Sequence, residues 1–163
     1  MYRVAILVAS DSAYEGTRED KSGPILKEFM ESKGFEVVSL QVSSDTKEML
    51  EDVMKDICDN NKADLLLTSG GTGLSMRDCM PEATTTIAHR MVPGVGEAMR
   101  QYSMQFTKRA MFSRAIAATR YETLIINLPG SPKAVIECME AIIDELAHGL
   151  GIMLGTERNC ARK

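Results

Sequence analysis

Residues 64–81 read DLLLTSGGTGLSMRDCMP, and the fold turns on how this stretch is parsed. Its start, Asp64 to Thr68, is a short apolar run of the kind carried by a strand buried on both faces. The run ends in Ser69, Gly70, Gly71, Thr72 and Gly73. Glycines at this density let the backbone take positive φ and aim several N–H groups at one point, a concave shape that an anion can enter closely. Arg77 and Asp78 then add a cation and a carboxylate within a few residues. No Gly-Lys-Ser/Thr closes the loop, so it is not a Walker P-loop, and Met76 stands where the third glycine of a dinucleotide fingerprint would fall. On spacing alone, a tight glycine turn leaving a strand explains these residues as well as a phosphate cradle does.

Working outward, strands and helices alternate. Arg3 to Ser10 is an apolar strand ending at Ser10-Asp11, and the polar segment 12–24 after it is a loop long enough for a functional role or for a plain solvated surface. Ser22-Gly23-Pro24 starts a helix with Ile25, Leu26, Phe29 and Met30 at helical spacing, and Gly34 stops it. Phe35 to Val42 is a second strand. Asp45 then precedes a helical stripe of Met49, Leu50, Val53, Met54, Ile57 and Cys58. Locally Asp45 reads as an N-cap with Glu48 three residues on. Beyond the glycine loop, Pro81 opens a short polar helix expected to contain Glu82, Thr84 to Thr86 and His89, and Val95, Met99, Tyr102 and Phe106 mark another. Lys108, Arg109, Ser113 and Arg114 form a basic connection, either solvated or in contact with a ligand. Thr123 to Leu128 is the last strand, and Ser131 with Pro132 starts one long helix through Leu146. That helix start, with Gly130 before it and Lys133 beside it, is a second candidate anion site. The tail from about residue 150 is expected to be poorly ordered.

This order predicts an α/β fold, a parallel sheet with helices on its faces. Parallel pairing would bring the loops at Ser10-Asp11, Gly70–Gly73 and Gly130–Lys133 to one edge, beyond the carboxyl ends of the strands. The 163 residues are expected to form one domain (1–163) with a proper core, since 44% hydrophobic and 26% charged residues are near the globular average. A net charge of −4 gives no general reason to bind nucleic acid, so any phosphate site must be local. Cys58, Cys79, Cys138 and Cys160 form no C-x-x-C pair and there are two histidines, His89 and His148, which argues against zinc and for reduced thiols. The apolar run Val4 to Ala9 is too short for a signal peptide and no longer one exists, so no membrane association and a cytoplasmic setting are expected.

Taken together, SDSAYEGTREDKSGP (10–24), TSGGTGLSMRDCMPEAT (68–84), PGVGEAMRQYS (93–103), MFSRA (111–115) and INLPGSPKAVIECME (126–140) resemble the molybdenum-cofactor biosynthesis family. Its members include bacterial, Mog-type molybdopterin adenylyltransferases, the plant G domain and the N-terminal domain of gephyrin. The Arg-Asp-x-x-Pro-x-Ala-Thr form at Arg77 to Thr84 is similar to the adenylyltransferase branch. The resemblance implies a three-layer α/β/α molybdopterin-binding-domain-like fold with a mostly parallel sheet, usually a homotrimer. It implies an enzyme: the terminal phosphate of molybdopterin attacks the α-phosphorus of ATP, pyrophosphate leaves, and the adenylylated product passes to a molybdenum-insertion enzyme. Positioning and charge neutralisation are what such a transfer needs.

By the same resemblance, Asp45 and Asp78 are the catalytic residues and hold Mg²⁺, while the capping role of Asp45 stays open beside it. Gly70, Gly71, Thr72, Gly73, Gly130, Ser131 and Lys133 would bind phosphates, Ser10 and Asp11 would line the pocket, and Arg77 and Arg114 would contact charge. Three residues depart from the common pattern, namely Met76, Cys79 and Met80, and they bear on the loop's shape beside Asp78. Cys79 is read as an incidental thiol rather than a nucleophile. Two other functions compete. One is a molybdopterin-binding or scaffold module of the same family without adenylyl transfer. The other is a competence-associated relative acting on a nicotinamide nucleotide, which would lack the Arg77–Thr84 agreement.

Overall fold

The computed structural model describes residues 1–157. Strand β1 (Arg3–Ala9) leads into a one-turn helix α1 (Asp11–Tyr14), then helix α2 (Ser22–Ser32), strand β2 (Glu36–Ser43), helix α3 (Lys47–Asp59) and strand β3 (Leu65–Ser69). After the glycine loop come α4 (Met80–Ile87), β4 (Arg90–Met91), α5 (Pro93–Ser103), a 3₁₀ turn (Lys108–Phe112), β5 (Ala117–Arg120), β6 (Thr123–Leu128), α6 (Pro132–Glu140) and α7 (Ile143–Met153). The strands form one sheet in the order β2-β1-β3-β6-β5-β4. The pairs β2–β1, β1–β3 and β3–β6 are parallel, whereas β6–β5 and β5–β4 are antiparallel. The fold is therefore a three-layer α/β/α arrangement with a mostly parallel sheet.

The period of two along each central strand builds both cores at once. Val4, Ile6 and Val8 of β1, Leu65 and Leu67 of β3, and Leu124, Ile126 and Leu128 of β6 join one cluster, with Leu26 and Met30 of α2, Met99 of α5 and the apolar faces of α6 and α7. Ala5, Leu7, Leu66 and Ile125 point the other way, onto Leu50, Met54 and Ile57 of α3 and Met80, Ala83 and Ile87 of α4. The stripes in α2 and α3 are thus core on opposite faces of the sheet. Below the site, Asn127 is fully buried and donates through Nδ2 to Thr68 Oγ1 (3.0 Å) and Thr84 Oγ1 (2.9 Å), tying β6, β3 and α4 together.

Four expectations need correction. The segment after Ser10 is not all loop: α1 begins at Asp11, with Ser10 Oγ accepting from the Ala13 N–H. β4 and β5 are additional strands on the far edge, one only two residues long and the other half alanine, so neither carries a strand pattern in sequence. The final helix is two, because Ile142 takes φ −130°, ψ −16° and the helical bonding restarts at Ile143. That second helix runs to Met153 with Leu146 and Leu150 buried, so disorder does not set in at 150. The rest of the expected tail, with Cys160, lies outside the described residues.

Candidate active site

Chain direction first leads from β1 outward to β2, then back past β1 to β3. At such a switch the loops leaving β1 and β3 diverge to opposite faces and leave a crevice at their carboxyl ends. Two cavities occupy that edge here. One, about 560 Å³, is polar: Ser10, Arg18, Lys21, Asp45, Asp78 and Ser131 are among its walls. The other, about 480 Å³, is mostly apolar, with Met99, Phe112, Ala115, Ala134 and Cys138 in its lining. Gly70, Gly71, Asp78 and Gly130 border both, so they form the ridge between them.

The ridge exists because glycines allow two loops to touch. Gly70 (φ +97°) and Gly71 (φ +69°) turn the chain off β3 in the left-handed region. A Cβ on Gly130 would lie 3.5 Å from the Gly70 Cα, so the glycine loop and the start of α6 meet directly. Among the described residues, the N–H groups of Gly71, Thr72 and Gly73 donate to no protein acceptor, whereas the Gly70 N–H is used on the Leu128 carbonyl (3.0 Å). Free donors on such a bend are what an anion requires.

The two acids flank this ridge. Asp78 Oδ2 accepts the Ser75 N–H (3.1 Å) and would sit 2.8 Å from a Cβ on Gly73. Asp45 Oδ2 accepts the Asp11 N–H (3.0 Å), and its Oδ1 would be 3.5 Å from a Cβ on Gly71. The capping role of Asp45 is not realised: α3 begins at Lys47 after Thr46, and the carboxylate is engaged across the cleft instead. Burial, then the charges of Asp11 and Asp78, push the Asp45 carboxyl above its usual range. A carboxyl whose folded pKa is raised gives stability at low pH and loses it as pH rises through the folded value. Asp45→Asn, which keeps an acceptor for Asp11, is therefore expected to raise Tm at pH 7, and the gain should shrink as pH falls toward the ordinary carboxylate value of 3.8, measured by thermal melts across that range.

Oδ1 of Asp45 and Oδ1 of Asp78 accept nothing from the described residues, and no cation pairs with either acid there. Two carboxylates without a cationic partner bordering one cavity, Asp45 held above its usual range chiefly by burial and then by the charges of Asp11 and Asp78, suit a divalent cation. No group of three or more His, Cys, Asp or Glu among the described residues would hold a metal alone. The donor set fits Mg²⁺, which commonly takes one or two carboxylates and completes its shell with substrate phosphate oxygens and water.

The remaining expected residues divide. Ser10 and Ser131 line the polar cavity, and Thr72 and Gly73 line the apolar one. Ser131 precedes α6 without using its side chain as a cap, which leaves the hydroxyl for a ligand. Lys133 is exposed on α6 and lines neither cavity. Arg114 is committed to the protein: Nε donates to the Gly73 carbonyl (2.7 Å), Nη2 to the Asp78 carbonyl (2.9 Å), and Nη1 pairs with Glu82. It braces the loop rather than reaching a ligand. Asp11 and Arg77, expected to line the pocket and to contact charge, line neither cavity; they pair with each other instead (2.9 Å). Cys79 Sγ donates to the Asp45 carbonyl (3.2 Å), and burial with the nearby Asp45 charge raises its pKa, so it is a neutral structural donor. Met76 is fully exposed and does not intrude on the ridge.

Sequence reading missed Arg18 and Lys21, which line the polar cavity from the segment before α2. It also missed Asp20, whose Oδ1 accepts the Ser22 and Gly23 N–H groups (3.0 and 3.2 Å) and fixes that segment. The charged run Arg18-Glu19-Asp20-Lys21 in a long loop was the available signal.

A mostly parallel sheet with a glycine ridge, two acids without cationic partners and paired cavities at its switch point is an arrangement that suits phosphate-bearing small molecules. Comparison with known proteins narrows this. Residues 5–148 match the family described as "Probable molybdopterin binding domain", and the chain belongs to that family. A molybdopterin adenylyltransferase of Helicobacter pylori is 36% identical over 154 residues, 93% of this chain and 88% of the relative. That of Escherichia coli K12 is 36% identical over 155 residues, 91% and 79% of the two chains. Among solved structures, the molybdopterin biosynthesis enzyme MoaB of Thermus thermophilus superposes with a TM-score of 0.90 at 41% identity, covering 95% of this chain and 98% of its own. A MogA structure gives 0.87 at 34% identity over 93% and 99%.

Proposed function

We propose that this protein is a molybdopterin adenylyltransferase of molybdenum cofactor biosynthesis, transferring AMP from ATP to the terminal phosphate of molybdopterin. The observation that carries the reading is the placement of two acids with a free oxygen each, Asp78 on the ridge where a polar and an apolar cavity meet and Asp45 beside that ridge in the polar cavity. Two substrates that each join a planar ring to phosphate need such a junction. The names of the relatives at 36% identity and the Arg77–Thr84 motif support the same reaction.

A phosphate oxygen of molybdopterin forms a bond to the α-phosphorus of ATP, and the bond from that phosphorus to the bridging oxygen of the β-phosphate breaks, releasing pyrophosphate with its electron pair. The free N–H groups of Gly71, Thr72 and Gly73 and the hydroxyls of Ser10 and Ser131 orient the phosphates in line. Arg18 and Lys21 balance charge along the polar wall. Asp45 and Asp78 would hold Mg²⁺, which when bound would supply neutralisation of charge on the phosphates. Arg114 keeps the Gly73 and Asp78 carbonyls in register beneath.

The reading extends to a homotrimer in the cytoplasm that passes its product to a molybdenum-insertion enzyme. The exposed apolar side chains Met104, Phe106, Met111 and Phe112 in one short segment favour self-association. No helix among the described residues is long and apolar enough to cross a membrane. The family, described as a probable molybdopterin binding domain, supports a second reading as a molybdopterin-binding module without adenylyl transfer. Purified protein with ATP, Mg²⁺ and molybdopterin separates the two: pyrophosphate release that depends on molybdopterin is expected. Tight pterin binding without release would select the second.

A further inference from the structure

Asp45 and Asp78 leave the sheet two strands apart, after β2 and β3, with β1 between them. Nothing in the strands themselves fixes the distance between two loops so separated. Asp11, at the end of β1, stands in the gap. Its Oδ1 accepts the Asp45 N–H (2.9 Å), and its own N–H donates to Asp45 Oδ2 (3.0 Å), so the two residues hold each other by both ends. From the other side Arg77, the residue before Asp78, closes a fork on the same carboxylate, Nε to Oδ2 at 3.0 Å and Nη2 to Oδ1 at 2.9 Å. The chain of contacts therefore runs from Asp45 through Asp11 to Arg77 and, by one peptide bond, to Asp78.

We propose that Arg77 and Asp11 form a clasp that sets the spacing of Asp45 and Asp78, acting as positioning residues and not as phosphate ligands; this rests on the adenylyltransferase reading for its kinetic part. The Asp11 carboxylate already accepts one backbone and two guanidinium donors, which leaves it little capacity for a metal ion. The Arg77 side chain is 60% exposed, so the ion pair adds little to global stability and its effect is local. A fork on a carboxylate fixes direction as well as distance, which an ammonium cannot do. Arg77 also offsets the third acid, leaving the charges of Asp45 and Asp78 for the cation.

The test combines readouts that need turnover with two that do not. In Arg77→Ala, amide hydrogen exchange at Asp11 and Asp45 should accelerate, and Mn²⁺ affinity in the presence of a nonhydrolysable ATP analogue should fall about 10- to 100-fold, as for other groups that orient metal ligands. Tm should stay within about 2 °C of wild type. The kcat should fall by a similar factor with KM for ATP unchanged, Arg77→Lys should not restore it, and adding Asp11→Asn should cost little more because both act on one contact. Wild-type exchange and Mn²⁺ affinity in Arg77→Ala would overturn the clasp. So would a raised KM with losses that multiply in the double variant, the pattern of a direct phosphate contact. A wild-type protein without AMP transfer would count against the proposed function instead, and the exchange and Mn²⁺ measurements would still decide the clasp.

Discussion

Asp78→Asn is expected to lower kcat for AMP transfer by about 100- to 1,000-fold, the scale at which single groups that stabilise transition-state charge are felt. The variant keeps an oxygen to accept the Ser75 N–H, so the loop should close as before. What it removes is one of two charges able to hold Mg²⁺ at the ridge. A molybdopterin-dependent pyrophosphate assay, run beside thermal melts, separates the loss of chemistry from any loss of fold. Unchanged turnover would mean that Asp78 does not hold a cation needed by the reacting phosphates.

The second large effect is on stability. Gly70→Ala places a Cβ 2.4 Å from the Ala9 carbonyl oxygen at φ +97°. The obstacle is backbone of the neighbouring strand and cannot swing aside. Left-handed strain and the clash together should cost about 3 kcal/mol or more, a fall in Tm of about 10 °C. Gly73→Ala makes the opposite pattern. Its Cβ would meet only Asp78 Oδ2, at 2.8 Å, the far end of a side chain, so the fold should persist while the carboxylate shifts and turnover drops. Chemical denaturation of the two variants, with activity measured on each, distinguishes a glycine required for folding from one required for the site.

The convergence of three strand-end loops was legible because parallel pairing follows from alternating apolar strands and amphipathic helices, and direction in a parallel sheet decides which ends meet. The glycine bend was legible for the same local reason that makes Gly70 irreplaceable. Asp45 was ambiguous for a physical reason: an acid just before a helix suits a cap, and only the β1 loop, distant in sequence, reveals that its carboxylate faces the cleft. Arg114 read as a free cation because the carbonyls it braces belong to a loop some forty residues earlier. Arg18 and Lys21 escaped notice since loops carry no periodicity, and a charged run on a surface loop is ordinarily solvated. β5 was hidden by alanines, whose small size lets α4 and α5 pack closely on that edge and whose strand propensity is low.

The central claim is that phosphate chemistry takes place on the ridge between the two cavities. A crystal of the protein soaked with a nonhydrolysable ATP analogue and Mg²⁺ tests it most directly. The expected density places the α-phosphate against the Gly71–Gly73 amides with the ion between Asp45 and Asp78; phosphates bound away from the Gly70–Gly130 contact, with both acids facing solvent, would contradict it.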